Sequence, residues 1–270
     1  MYPLPTFDAQ AHRGGRGHWT EESATAFKNA LDVGVTTLEL DIVLTKDLVP
    51  AVWHDPVILE EKCSSRIGEN VHDLTFEELR QIECAKQLPD FPEAEVVPGN
   101  RIISLPEVFA IAAGHDVWFN IETKIEAEKP DICATPEQFV TAIFAAIDAA
   151  GVRNKVMIQS FDWRTFPLVH AIDPDIPLVA LWDETTWHEN TAWGPYNPDI
   201  ISAAKDHNIA VLSPDYTLVD ADLIQRAHDA GLRVVPWTVN DLADMQRLIS
   251  LGGDGLITDY PKRLQQLLEG

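Results

Sequence analysis

Short runs of β-branched and aromatic residues recur along the chain, and most are followed by a longer stretch whose apolar positions repeat at helical spacing. The strand-like runs are residues 9–13, 37–43, 51–54, 117–124, 155–160, 178–182, 210–213, 234–239 and 255–259. The amphipathic stretches are residues 23–33, 105–113, 136–150, 163–172, 199–207, 220–230 and 242–250. Gly34, Gly114, Gly151 and Gly231 follow the apolar periods where a helix is expected to end. This alternation predicts successive βα units on a parallel sheet.

One of the nine strands does not fit a simple repeat. Only about seven residues separate the second run from the third, whereas a parallel crossover needs roughly a dozen or more. The pair is therefore expected to form an antiparallel hairpin, turning at residues 46–48 and bringing His54 back opposite Asp41. Setting the return strand aside leaves eight βα units, so the expected fold is α/β, a TIM (β/α)8 barrel. Residues 55–103 become a small insertion after the second barrel strand, above the mouth, with a short helix at 77–82 started by Thr75. No fixed-period repeat, low-complexity tract or linker interrupts the pattern, and residues 1–270 read as a single domain.

Composition narrows the partners. The 270 residues carry 43 acids against 20 bases, a formal charge of -23. No basic footprint for nucleic acid or an anionic membrane is present. Cys63, Cys84 and Cys133 are an odd number and form no C-x-x-C pair, which suits a reducing compartment better than a disulfide framework. No apolar stretch approaches the roughly 20 residues of a membrane span, and residues 1–8 show no basic-then-apolar leader. A cytoplasmic protein acting on a small molecule is the expectation; oligomeric state is left open.

Reactive groups in such a barrel belong at the C-terminal ends of its strands. There the chain places His12-Arg13-Gly14, then Glu39-Leu40-Asp41, His54-Asp55 and Glu122-Thr123-Lys124. The i, i+2 spacing puts Glu39 and Asp41 on one face of their strand. Taken singly, a strand-end histidine or a Glu-x-Asp pair is more often structural than catalytic. Together on one rim they are not an expected accident. Glu39, Asp41 and Glu122 are hard oxygen donors suited to one divalent cation, Mg²⁺ or Ca²⁺. Arg13 and Lys124 add an anion site, and His12 and His54 can work as acid and base near neutral pH. This is the equipment of metal-assisted phosphoester cleavage.

These residues sit in longer motifs. The chain contains Ala11-His12-Arg13-Gly14, Leu38-Glu39-Leu40-Asp41, Val52-Trp53-His54-Asp55, Asn120-Ile121-Glu122-Thr123-Lys124, Ser160-Phe161-Asp162, Trp237-Thr238-Val239-Asn240 and Thr258-Asp259-Tyr260-Pro261. In this order they resemble the glycerophosphodiester phosphodiesterases, bacterial-type and cytoplasmic, over nearly the whole chain. The resemblance implies a TIM barrel and hydrolysis of a glycerophosphodiester to sn-glycerol 3-phosphate and an alcohol. It implies metal ligation by Glu39, Asp41 and Glu122 (Mg²⁺ or Ca²⁺, with Mn²⁺ as a third choice), acid–base catalysis by His12 and His54, and phosphate contacts from Arg13 and Lys124.

Two departures stand out. Thr20-Glu21-Glu22-Ser23 replaces the family's Pro-Glu-Asn-Thr, and residues 56–66 lack its Leu-x-Arg-Thr-Thr stretch. Thr20 or Ser23 still caps the first helix. Asp259 fits both a family position and an ordinary helix N-cap before Pro261. Trp237, at a strand end, is a candidate to pack on the glycerol moiety. Trp182, Trp187 and Trp193 belong either to a lid for a cationic alcohol or to a loop anchored by its own aromatics. Alternative functions are a phosphodiester lyase releasing a cyclic phosphate, which the cysteine pattern argues against, and a non-catalytic phosphodiester-binding barrel.

Overall fold

The computed structural model describes residues 1–188, 191–193 and 197–270. In chain order its strands and α-helices are β1 (Asp8–Ala11), α1 (Ala24–Val33), β2 (Thr37–Leu44), β3 (Pro50–Val52), α2 (Phe76–Arg80), α3 (Leu105–Ile111), β4 (Trp118–Thr123), α4 (Pro136–Ala150), β5 (Val156–Ser160), α5 (Thr165–Ile172), β6 (Leu178–Trp182), α6 (Ile200–Asp206), β7 (Val211–Pro214), α7 (Ala221–Asp229), β8 (Arg233–Val234), α8 (Leu242–Ser250), β9 (Gly255–Thr258) and α9 (Pro261–Glu269). Neighbouring strands run parallel in the order β8-β7-β6-β5-β4-β2-β1-β9, and β3 pairs with β2 alone. All residues of β1, β2, β4 and β5 are buried. Burial on both faces is what helices outside and side chains inside a parallel barrel require.

The eight-stranded barrel and its hairpin are as the spacing predicts, with three local differences. First, β3 is antiparallel to β2 with Val52 opposite Ile42, so the Trp53 N–H donates to the Asp41 carbonyl at 3.1 Å. His54 therefore lies one residue beyond Asp41 rather than opposite it. Second, the strand expected at 234–239 is reduced to Arg233–Val234. Pro236 has no N–H to give, and the seam with β9 is held by separate bonds, Ile257 N–H to the Pro236 carbonyl at 3.0 Å and Val239 N–H to the Ile257 carbonyl at 2.9 Å. Third, the first strand stops at Ala11, and His12–Gly14 form a tight turn rather than a continuation of the strand.

Between β3 and α3 the chain builds a second, smaller core from Val43, Trp53, Ile58, Val71, Leu79 and Ile82. Thr75 starts α2 with a reciprocal capping box to Glu78. Within this core Cys63 and Cys84 are joined by a disulfide, and Cys133 is free. This corrects the cysteine reading. Pairing depends on two side chains meeting in space, and a separation of 21 residues gives no local sign of it. The inference to a reducing compartment loses its premise, and so does the cysteine argument against a cyclic-phosphate lyase. A thiol reagent added to the unreduced, denatured chain is expected to count one thiol, Cys133, and three after reduction. Three thiols before reduction would remove the bridge. No helix among the described residues is long and apolar enough to cross a membrane.

Candidate active site

The rim at the C-terminal strand ends is organised by the turn after β1. Arg13 takes a left-handed backbone (φ 52°), followed by Gly14 and Gly15 at φ 78° and 95°. A Cβ on Gly14 would stand 2.9 Å from the Ala26 Cβ, so only glycine lets this turn pack on α1. The turn aims the Arg13 N–H at Glu39 Oε2, 2.9 Å away.

Glu39 and Asp41 point the same way from β2, and the parallel register sets Glu122 of β4 beside Asp41. All three are buried, and one oxygen of each lies within 4.8 Å of the others. Glu39 Oε1 accepts from Gln159 Nε2 at 2.5 Å, while the Asp41 N–H donates to Glu22 Oε1 at 2.9 Å. Glu22 thus supplies a hydrogen bond to the cluster strand from the position where the family pattern carries an amide. It is buried at φ 54°. Burial and Asp41 raise it well above the ordinary carboxyl range, against the pull of Arg13. A neutral carboxyl has much the same shape as the amide it replaces.

Electrostatics divide the three cluster acids. Burial and the charge of Asp41 raise Glu39 well above its ordinary value. Glu122 is raised to about 8 by burial and Asp41, against Lys124. For Asp41, burial is outweighed by Arg13, Lys124 and His54, and it stays ionised. Arg13 Nε is 3.0 Å from Asp41 Oδ2, and Lys124 Nζ donates to Glu122 Oε1 at 2.8 Å. Asp41 Oδ2 nevertheless has no aligned hydrogen-bond donor. Three converging carboxyl groups, two of them pushed toward the protonated form by burial and by the charge of the third, with one Asp41 oxygen left without a donor, fit a hard divalent cation. His and Cys donors, which zinc favours, are absent from this set.

The two histidines share one cleft with the cluster, each with a carboxylate at its Nδ1. His12 Nδ1 is 2.6 Å from Asp259 Oδ1, and His54 Nδ1 is 2.9 Å from Asp55 Oδ1. Donation from Nδ1 leaves Nε2 of each ring open. His12 Nε2 lies 4.0 Å from Glu39 Oε2. Burial lowers His12 despite Asp259, and burial with Lys124 and Arg13 lowers His54 to about 4. Asp259 also accepts from Arg16 Nε at 3.0 Å and Asn240 Nδ2 at 2.7 Å. The helix that follows is capped at Tyr260 without a side-chain bond, so the N-cap reading of Asp259 does not hold.

This cleft, open to solvent, brings His12, Arg13, Glu39, His54, Glu122 and Lys124 together. Its far wall is apolar, with Phe161, Leu181 and Trp237. The Trp237 indole N–H is committed to the Ser213 carbonyl at 2.8 Å, and its ring meets Phe161 edge-on at 5.6 Å. Trp187 packs against Trp163 with ring centroids 4.8 Å apart, an anchoring contact. Residues 189–190 and 194–196 of the segment read as either a lid or a self-anchored loop lie outside the described residues. Of the groups around the reactive set, Arg16, Gln159 and Lys62 were not legible as site residues. Each reaches the rim from a turn, a strand or a loop whose local pattern is ordinary.

Residues 12–263 match the model of the glycerophosphoryl diester phosphodiesterase family. A curated relative, a glycerophosphodiester phosphodiesterase of Caldanaerobacter subterraneus, is 29% identical over 261 residues, covering 96% of each chain. A solved structure from Silicibacter pomeroyi, provisionally described as a glycerophosphoryl diester phosphodiesterase, superposes with a TM-score of 0.89 at 26% identity, covering 99% of this chain and 95% of the other. An Oleispira antarctica phosphodiesterase, determined with its product sn-glycerol-3-phosphate, shares the fold with a TM-score of 0.80 at 20% identity, covering 99% and 98%.

Proposed function

The chain belongs to the glycerophosphoryl diester phosphodiesterase family and is a phosphoric diester hydrolase; from that premise we propose that it cleaves glycerophosphodiesters to sn-glycerol 3-phosphate and an alcohol at this rim, with a divalent cation and two histidines. The observation that carries the reading is that His12 and His54, each bonded through Nδ1 to a carboxylate, line one cleft with Glu39 and Glu122 of the Glu39–Asp41–Glu122 cluster.

Glu39, Asp41 and Glu122 would hold Mg²⁺, Ca²⁺ or Mn²⁺. Bound there, the cation supplies positive charge against the phosphate oxygens and the negative charge that builds as the P–O bond changes hands. Arg13 and Lys124 bind the remaining phosphate oxygens and orient the diester. One histidine takes the proton from the attacking hydroxyl at its Nε2, and the other returns a proton to the departing alkoxide. The attacking hydroxyl is either water or the 2-hydroxyl of the glycerol. Phe161 and Trp237 pack on the glycerol arm and exclude solvent from it. The same reading takes residues 1–270 as one catalytic domain, with residues 55–103 as an insertion walling one side of the mouth.

The test is a panel of glycerophosphodiesters assayed with Mg²⁺, Mn²⁺ and Ca²⁺, with EDTA as control and products followed by ³¹P NMR. The expected result is cation-dependent release of glycerol 3-phosphate. A cyclic phosphate as the end product would replace hydrolysis by a lyase reaction. Binding of the diester without turnover would replace both by a binding barrel.

A further inference from the structure

Lys62 belongs to the loop after β3 and takes no part in the chemistry described above. It is nonetheless buried, 8% exposed, with its ammonium between two carboxylates. Nζ donates to Asp55 Oδ2 at 2.6 Å and to Glu21 Oε1 at 2.6 Å. Each of those acids then touches the rim. Asp55 gives its other oxygen to His54 Nδ1 at 2.9 Å. Glu21 faces the Arg13 guanidinium at 3.4 Å and that of Arg16 at 3.3 Å. The ammonium stands 5.3 Å from the centre of the Trp53 ring, and the next residue, Cys63, is bridged to Cys84. The insertion thereby delivers one fixed positive charge to the back of a candidate catalytic histidine.

The two acids do not depend on Lys62 equally. Glu21, lowered to about 2 against burial by Arg13, Lys62 and Arg16, keeps two guanidiniums if the ammonium is lost. Among the described residues Asp55 has only His54 and Lys62 as hydrogen-bond partners. Without the ammonium, Asp55 (15% exposed at its side chain) is free to turn toward solvent. His54 then loses the acceptor that keeps its proton on Nδ1. In water the Nε2–H form of a neutral imidazole predominates, so a base would carry a proton where it needs a lone pair, and an acid would lose the carboxylate that supports its imidazolium.

We propose that Lys62 is a positioning residue that pins Asp55 and so sets the tautomer and orientation of His54. The inference rests on the catalytic reading of His54 only for its kinetic consequence. Lys62→Met is expected to lower kcat about 10–100-fold, the scale of partners that orient functional imidazoles, while KM moves less than about threefold. Lys62→Arg restores most of the rate. Lys62→Met combined with Asp55→Asn is no worse than Asp55→Asn alone, because both break one chain of contacts.

The deciding readout is independent of activity. Long-range ¹H–¹⁵N NMR of the substrate-free protein is expected to show His54 as the Nδ1–H form in the parent and in Lys62→Arg, and the Nε2–H form in Lys62→Met. Lys62→Gln, too short to span both acids, carries the same expectation if Lys62→Met does not fold. An unchanged His54 tautomer in these variants, or losses that multiply in the double variant, would overturn the assignment. A parent protein inactive on every diester would instead overturn the proposed function, and the tautomer comparison would still decide the role of Lys62.

Discussion

Removing divalent cations is expected to extinguish diester hydrolysis, and Glu122→Gln is expected to lower it by about 10³-fold or more even with cation in excess, the scale of a lost charge-stabilising group. The same substitution should make the cation-free fold more stable than the parent at neutral pH, and equal to it only near pH 4.5. Glu122 is held protonated up to about 8 in the buried cluster. A glutamine keeps an oxygen for Lys124, and its amide takes over the hydrogen bond that the protonated acid gives Asp41. The sign of the pH effect follows from the raised value. Its stabilising contribution is complete below about 4.5, the unfolded carboxyl value, and is lost as pH rises through about 8. Cation-free parent protein should therefore melt at progressively lower temperature across that window, and Glu122→Gln should flatten this decline. The rise in melting temperature on adding Mg²⁺ should be largest at the alkaline end, where the ligands carry no protons. A parent melting curve indifferent to both pH and cation would remove the metal reading of the cluster.

His12→Ala and His54→Ala are each expected to lower kcat by about 10²–10⁴-fold with the fold retained, because each removes a proton transfer rather than a binding contact. Both histidines are shifted downward, but only the one acting as base sets the acidic limb. A histidine acting as base works neutral, and its activity fails as pH falls through its pKa. Burial lowers His12, and burial with Lys124 and Arg13 brings His54 to about 4. The acidic limb of kcat/KM is thus expected below pH 6.5, and a bound cation would push it further the same way. An acidic limb above pH 7, or near-parental rates in both single variants, would remove the acid–base assignment.

Much of this site was legible in the chain before any coordinate. Period-two alternation alone placed Glu39 and Asp41 on one face, and a connection of about seven residues forced the hairpin that returns His54 to the mouth. Both are local, because strand periodicity and loop length act within a few residues. The Cys63–Cys84 bridge was not legible, since pairing is a matter of which side chains meet after folding. Asp259 was ambiguous for a related reason: its local signature is a helix cap, while its contact is with His12, 247 positions away. Arg16, Gln159 and Lys62 carry no signature at all.

The sequence by itself therefore determined the barrel, its extra hairpin and the gathering of the candidate titratable groups on one rim. These follow from short-range spacing and from the fixed geometry of a βα repeat. Only the tertiary structure decided what stands behind those groups: Asp259 and Asp55 orienting the histidines, Gln159 and Glu22 holding the acid cluster, and a lysine from the insertion bracing one dyad. Such contacts join segments far apart in the chain, where the cost of burying each charge is offset by whichever partner the fold delivers, and no local pattern of residues records that choice.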